Sequence, residues 1–194
     1  IEGFDDTSTL QLATGTITSA YSDGTDIFLI VDKNTVTLKD LSYLTNAINV
    51  MDSVGKTSSY TINLLKGTEA ADNLSNSYSK ITIQALGGDD TIENSGAQVT
   101  IDGGANNDTI TNTGAKVSIS GGAGKNSINL NDGKGVTVNA GAGNDTISLS
   151  DSVTSFRVEN FSSGDVIELN ATVSGLGSIE NGITADKVTV TGLP

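Results

Sequence analysis

A short turn rich in glycine and acid recurs through the second half of the chain at an almost fixed interval, and that interval limits the possible folds more than any other feature. The copies are Gly67-Thr68-Glu69-Ala70-Ala71-Asp72, Gly87-Gly88-Asp89-Asp90, Gly103-Gly104-Ala105-Asn106-Asn107-Asp108, Gly121-Gly122-Ala123-Gly124-Lys125-Asn126 and Gly141-Ala142-Gly143-Asn144-Asp145. Their last residues fall at 72, 90, 108, 126 and 145, so the steps are 18, 18, 18 and 19. A constant period of this length implies a stacked solenoid, in which each coil buries its apolar residues only against its neighbours.

Each repeat carries two strand-like runs. One follows the acidic turn, as in Asp90-Thr91-Ile92-Glu93-Asn94, Asp108-Thr109-Ile110-Thr111-Asn112 and Asp145-Thr146-Ile147-Ser148-Leu149. The other follows a second turn at Gly96, Gly114 or Gly133 and reads Ile81-Thr82-Ile83, Val99-Thr100-Ile101, Val117-Ser118-Ile119 and Val136-Thr137-Val138. Alternation of apolar and polar residues marks strands with one buried face. Two strands and two turns in about 18 residues make one flat coil, and coils about 4.8 Å apart build two parallel sheets. Asn76, Asn94, Asn112 and Asn131 recur at steps of 18, 18 and 19 and read either as a hydrogen-bonded ladder or as ordinary turn asparagines.

Composition agrees with many thin cores and disagrees with one large one. Aromatics make up 4% of the chain and hydrophobic residues 36%, with Cys 0, Trp 0 and Pro 1. The formal charge is -13, from 23 acids against 10 bases, which disfavours nucleic acid and anionic membranes and favours a multivalent cation. No run approaches the roughly 18 apolar residues of a membrane span.

Residues 1–66 read differently. Leu10-Gln11-Leu12, Thr16-Ile17-Thr18, Ile27 to Val31 and Thr35 to Leu38 form a β-meander pattern, with turns at Asp23-Gly24 and Lys33-Asn34. Asp40 is placed to cap a short helix carrying Leu41, Leu44, Ile48 and Met51 on one face and ending at Gly55. The expected class is all-β, with a small β-rich region over 1–66, a β-roll over 67–150 and a cap with the start of a next unit over 151–194. The last expectation comes from the ends. Ile1-Glu2-Gly3-Phe4 and Thr9-Leu10-Gln11-Leu12 match Val158-Glu159-Asn160-Phe161 and Val166-Ile167-Glu168-Leu169 at an offset of 157. With Ile1 in place of Met, the match suggests a piece of a longer tandem array, Phe161 and Ile167 covering the final coil.

Glycine turns can aim consecutive carbonyl oxygens into one space, and the aspartate that follows adds an anionic oxygen. Calcium takes six to eight such oxygens, so one turn offers about half a shell and two stacked turns a whole one. Candidate sites therefore lie between the turns ending at Asp72 and Asp90, Asp90 and Asp108, Asp108 and Asn126, and Asn126 and Asp145. These segments resemble the Gly-Gly-x-Gly-x-Asp-x-apolar-x repeats of the repeats-in-toxin (RTX) family, secreted bacterial proteins whose repeats form a calcium-filled β-roll. The resemblance implies ligand side chains at Asp72, Asp90, Asp108 and Asp145. It implies carbonyl donors at Gly87, Gly88, Gly103, Gly104, Gly121, Gly122, Gly141 and Gly143. Only alternate turns carry the motif, so calcium is expected along one edge. Asn126 with Lys125 weakens the sites beside it, and Glu69-Ala70-Ala71 weakens the first.

With no His, no Cys and one Arg (Arg157), the common nucleophile and base arrangements are missing, and no catalysis is expected. The function expected is that of a calcium-stabilised structural segment in a secreted or cell-surface, adhesin-like repetitive protein. Alternatives are an accessory domain of a secreted toxin or enzyme, or a surface for glycans or ice. That surface would use the columns Thr82, Thr100, Ser118, Thr137 and Thr91, Thr109, Ser127, Thr146, although threonine also simply suits exposed strand positions.

Overall fold

The structure is a computed structural model that describes residues 9–39, 47–52, 54–150 and 152–169. The chain divides into two compact units, Ile1–Lys66 and Gly67–Pro194. Every element among the described residues is a β-strand.

In the first unit, β1 (Thr9–Gln11), β2 (Ile17–Ser22), β3 (Ile27–Val31), β4 (Asn34–Leu38), β5 (Ala47–Met51), β6 (Thr57–Thr61) and β7 (Leu64–Lys66) form two sets of neighbours. Strands β2, β3 and β4 are antiparallel, as the alternation predicted, and β7 lies parallel against β2. Asp23 closes its turn by accepting the amides of Thr25 and Asp26, and Asp32 turns the next hairpin at φ 56°. Ile27, Leu29 and Leu38 are buried beneath it, and the rings of Tyr21 and Phe28 stack at 4.9 Å.

The expected helix is corrected over its second half. Ile48 and Met51 lie in strand β5, between β1 in parallel and β6 in antiparallel pairing. The run Ile48-Asn49-Val50 satisfies a two-residue period as well as a helical one, and its β-branched residues, buried at 48 and 50, settle in the sheet because strands flank both edges. Gly55 serves a turn in which its amide donates to the Asp52 carbonyl. Asp40, Leu41 and Leu44 lie outside the described residues.

The second unit is a parallel β-solenoid. One sheet, in the order β18-β16-β14-β12-β10-β8, is built from β8 (Asn73–Asn76), β10 (Thr91–Asn94), β12 (Thr109–Asn112), β14 (Ser127–Leu130), β16 (Thr146–Leu149) and β18 (Val166–Leu169). The facing sheet runs through β9 (Thr82–Gln84), β11 (Thr100–Asp102), β13 (Ser118–Ser120), β15 (Gly133–Asn139) and β17 (Val153–Glu159). In the first of these sheets the registers are unbroken, so like stacks on like: Leu74, Ile92, Ile110, Ile128, Ile147 and Ile167 form one inward column. Ile83, Ile101, Ile119 and Val138 form another. Removing a single buried Ile from such a column costs about 2–5 kcal/mol. The threonine and serine columns point outward in register, as alternation requires.

The residues expected to cover the last coil instead build one more. β17 pairs with β15, β18 pairs with β16, and Phe161 and Ile167 are buried within that coil. Ile1 to Phe4, which match its start, lie outside the described residues.

The asparagine ladder is real but shorter than its spacing suggested. Asn76 Nδ2 donates to Asn94 Oδ1 and Asn94 Nδ2 to Asn112 Oδ1, each at 2.8 Å. Each side chain also bonds the turn two residues on, Asn94 with the Gly96 amide and carbonyl and Asn112 with those of Gly114. The next place in the column belongs to Leu130, followed by Leu149 and Leu169, whereas Asn131 is exposed on the turn. Without an inward amide to hold the turn, the chain takes extra residues to close it, and the acidic corners move from steps of 18 to 19 and then 20. Asn94→Ala should therefore destabilise the solenoid by about 2–4 kcal/mol, since it strands several buried groups. Asn131→Ala should change stability by less than about 0.5 kcal/mol. Urea denaturation of the two variants checks the contrast.

Candidate metal centre

The acidic corners converge in one inward column. Asp90, Asp108, Asn126 and Asp145 are at most 1% exposed, and Asp165 continues the column where the last described coil turns. The reason lies in the backbone. The amide of Asp72 donates to Asp90 Oδ1, that of Asp90 to Asp108 Oδ1, and that of Asp108 to Asn126 Oδ1, at 2.8, 3.0 and 2.9 Å. The amides of Asn126 and Asp145 continue to Asp145 Oδ1 and Asp165 Oδ1, both at 2.8 Å. The carbonyls of the same residues accept the next coil's amides from Thr91, Thr109, Ser127, Thr146 and Val166. A buried corner amide cannot be left unpaired, and an Asx side chain one coil away supplies its acceptor.

That duty requires an oxygen but no charge, as Asn126 demonstrates with the same geometry. The second side-chain atoms behave otherwise. At one end, Asp72 Oδ2 accepts the Thr68 amide and hydroxyl at 2.6 and 2.9 Å. At the other, Asp165 Oδ2 accepts the Ser162 amide and hydroxyl at 2.6 and 3.1 Å. Between these ends, Oδ2 of Asp90, Asp108 and Asp145 and Nδ2 of Asn126 are buried and hydrogen-bond to nothing in the protein.

Desolvation accordingly raises the carboxyls of Asp90, Asp108 and Asp145 above the ordinary range, Asp108 to about 6. The accepted amides oppose the rise. Neighbouring acids add to it: Asp72 and Asp89 at Asp90, Asp90, Asp89 and Asp102 at Asp108, and Asp165 at Asp145.

Cross-coil bonds fix the turns in four columns. Gly67, Ala85, Gly103, Gly121 and Ala140 hold the first, their amides donating to Gln84, Asp102, Ser120, Asn139 and Glu159. Leu86, Gly104, Gly122 and Gly141 hold the second, all at positive φ, and a Cβ on any of these three glycines would strike the carbonyl of the residue one coil before. Gly87, Ala105, Ala123 and Ala142 bridge in the third. Gly88, Asn106, Gly124 and Gly143, again at positive φ, hold the fourth. The expected carbonyl donors are thus distributed over all four columns. Gly87-Gly88 sits two places later in its turn than Gly103-Gly104 does in its own, because Ala85-Leu86 fills the opening places. The carbonyls of Gly104 and Gly122 are engaged in stacking, accepting the amides of Ala123 and Ala142 at 2.8 Å.

The glycines of the first column face the second side-chain atoms of the ladder. A Cβ on Gly103 would lie 2.7 Å from both Asp108 Oδ2 and the Gly121 carbonyl oxygen. On Gly67 it would lie 2.8 Å from Asp72 Oδ2 and 2.6 Å from the Ala85 carbonyl oxygen. On Gly121 it would meet Asn126 Nδ2 at 3.1 Å and the Ala140 carbonyl oxygen at 2.5 Å. Among the described residues, no group of three or more His, Cys, Asp or Glu side chains converges on a point, so a cation here would draw on main-chain oxygens as well. An unpartnered carboxylate oxygen beside a carbonyl is the hard-oxygen donor type that suits calcium.

Several contributors were not read from the sequence. Asp165 follows Ser162-Ser163-Gly164, a copy legible only once a 20-residue step is allowed. Thr68 and Ser162 reveal their roles only through their bonds to the end carboxylates.

No protein-family model, no curated protein and no solved structure matches the chain.

The raised carboxyls set a pH dependence. A group that holds its proton more tightly when folded stabilises fully below its unfolded value, 3.8, and loses that contribution as pH rises through its folded value, about 6 for Asp108. In chelator, the melting temperature should rise by on the order of 5 °C between pH 7 and pH 4.5. Asp108→Asn should flatten that rise, which thermal melts followed by circular dichroism would measure.

Proposed function

We propose that this chain is a structural segment of a secreted or cell-surface repetitive protein, its solenoid stabilised by calcium along the acid ladder. The observation that carries the reading is the burial of Asp90 Oδ2, Asp108 Oδ2 and Asp145 Oδ2 without a partner. An uncompensated buried carboxylate costs several kcal/mol, and the corner amides would be served as well by asparagine. A chain that keeps acids in such places gains from them only if a cation or a proton meets them. The net charge of -13 supports a cation, and the resemblance of the turns to RTX repeats supports calcium and export.

On this reading Asp108 and its neighbours hold the ion, and the ion neutralises charge that otherwise opposes coil stacking. The segment is a scaffold and not a catalyst. Binding and folding are coupled, because a site made from several coils exists only when they are stacked. Extracellular modules bind calcium at 10⁻⁴–10⁻³ M, so the ladder would fill outside a cell and stay empty in a cytosol.

At pH 7, 5 mM calcium should raise the melting temperature by about 5–10 °C over chelator, corresponding to roughly 2–3 kcal/mol of linkage. The same concentration of magnesium should do much less. Identical melts and identical far-ultraviolet spectra in calcium and chelator would refute the calcium reading.

A further inference from the structure

Strands β1 and β18 share one pattern. Thr9-Leu10-Gln11-Leu12 and Val166-Ile167-Glu168-Leu169 alternate alike, and the second and fourth residues of each, Leu10 and Leu12, Ile167 and Leu169, are the buried ones. Each strand ends its sheet: among the described residues, β1 pairs only with β5 and β18 only with β16.

The two strands are bonded on opposite edges. Along a strand, the backbone groups of successive residues point to alternate edges. In β18 the amide of Val166 donates to the Asp145 carbonyl at 2.8 Å, so Val166 and Glu168 serve β16, and the backbone of Ile167 and Leu169 faces the open edge. In β1 the amide of Leu12 donates to the Met51 carbonyl at 2.9 Å, so Leu10 and Leu12 serve β5, and the backbone of Thr9 and Gln11 faces the open edge. A step of the solenoid joins the inward residues of one coil to the outward residues of the next, as Asp145 is joined to Val166. The open edge of β18 offers inward residues and that of β1 outward ones, so the two edges are complementary. Neither is guarded as other edges are. The edge strand β4 is flanked by Lys33 and Lys39, whereas no lysine lies in or beside β1 or β18.

We propose that the open edge of β1 receives the open edge of β18 from a second copy of this chain, in parallel, with Thr9 to Leu12 opposite Val166 to Leu169. Like then stacks on like. Ile167 meets Leu10 and Leu169 meets Leu12 on the inward side, while Glu168 lies beside Gln11 without like-charge repulsion. Because the two edges differ, each added copy leaves one of each kind open, and the contact builds rows and not closed pairs. This goes beyond the calcium reading and does not depend on it: a scaffold segment would join copies of itself edge to edge.

The test is sedimentation of the whole chain in calcium, at concentrations up to about 1 mM, where weak association becomes measurable. The mass of the wild-type chain should grow with concentration past that of a dimer. Gln11→Pro should abolish the growth with the circular dichroism spectrum retained, since the amide it removes serves no bond to β5. It keeps its β18 edge, so mixed with wild type it should shorten the rows. Should Gln11→Pro fail to fold, charge at the same position reads the register: Gln11→Lys should tighten association and Gln11→Glu weaken it, each by roughly two- to fivefold. Glu168→Lys should exchange those two effects. A wild-type chain that stays monomeric, rows that stop at a dimer, or equal association of Gln11→Lys and Gln11→Glu would overturn the assignment, and the calcium melts would stand unaffected.

Discussion

The solenoid depends on hydrogen bonds that run from one coil to the next at its corners. Along a strand, backbone amides and carbonyls pair with the strands above and below. At the acidic corner, the chain changes direction inside the protein and one amide per coil loses that option. Asp90, Asp108, Asn126, Asp145 and Asp165 each reach back with Oδ1 to the corner amide of the coil before. The bond ties each corner to its neighbour in step with the strand registers that align the isoleucine columns. Asparagine serves the opposite corner over three coils until leucine takes its place.

This arrangement separates two demands that the same side chain meets. Stacking requires Oδ1 and is indifferent to charge. The second oxygen contributes nothing to stacking, and its burial raises the proton affinity of the carboxyl. The ends of the ladder, where Thr68 and Ser162 each give two hydrogen bonds to Oδ2, show that the chain can neutralise this difficulty with ordinary polar groups. The interior steps lack those groups. Their second oxygens are therefore left without the donors that the end acids have.

Much of the architecture was legible because a solenoid is nearly one-dimensional: a period of 18 residues with alternating apolar positions leaves few other ways to bury Ile92, Ile110 and Ile128. The stacking of the acidic turns was legible for the same reason, but the burial of Asp90, Asp108 and Asp145 was not. The failures share a cause as well. Asn131 lost its place to Leu130, because the strands there still step by 18 residues and Asn131, 19 after Asn112, falls one position past the inward face; a near-constant spacing does not show which face a residue occupies. Strand β5 carried an ambiguous pattern, and the strands on both sides of it, remote in sequence, settled it. The opening of the second turn was misplaced since Gly87-Gly88 resembles the start of the motif, while cross-coil bonding starts that turn at Ala85.

By itself, the sequence determined the repeat, the two-sheet coil, the inward isoleucine positions and the acidic corner residues from Asp72 to Asp145, all of which follow from periodicity and the geometry of strands. Only the tertiary structure decided which oxygens of those acids are spent and which are free. That depends on a hydroxyl brought alongside by a turn that the periodic pattern does not constrain. The same stacking that makes the repeats alike in the backbone makes them unequal in the small volumes between them.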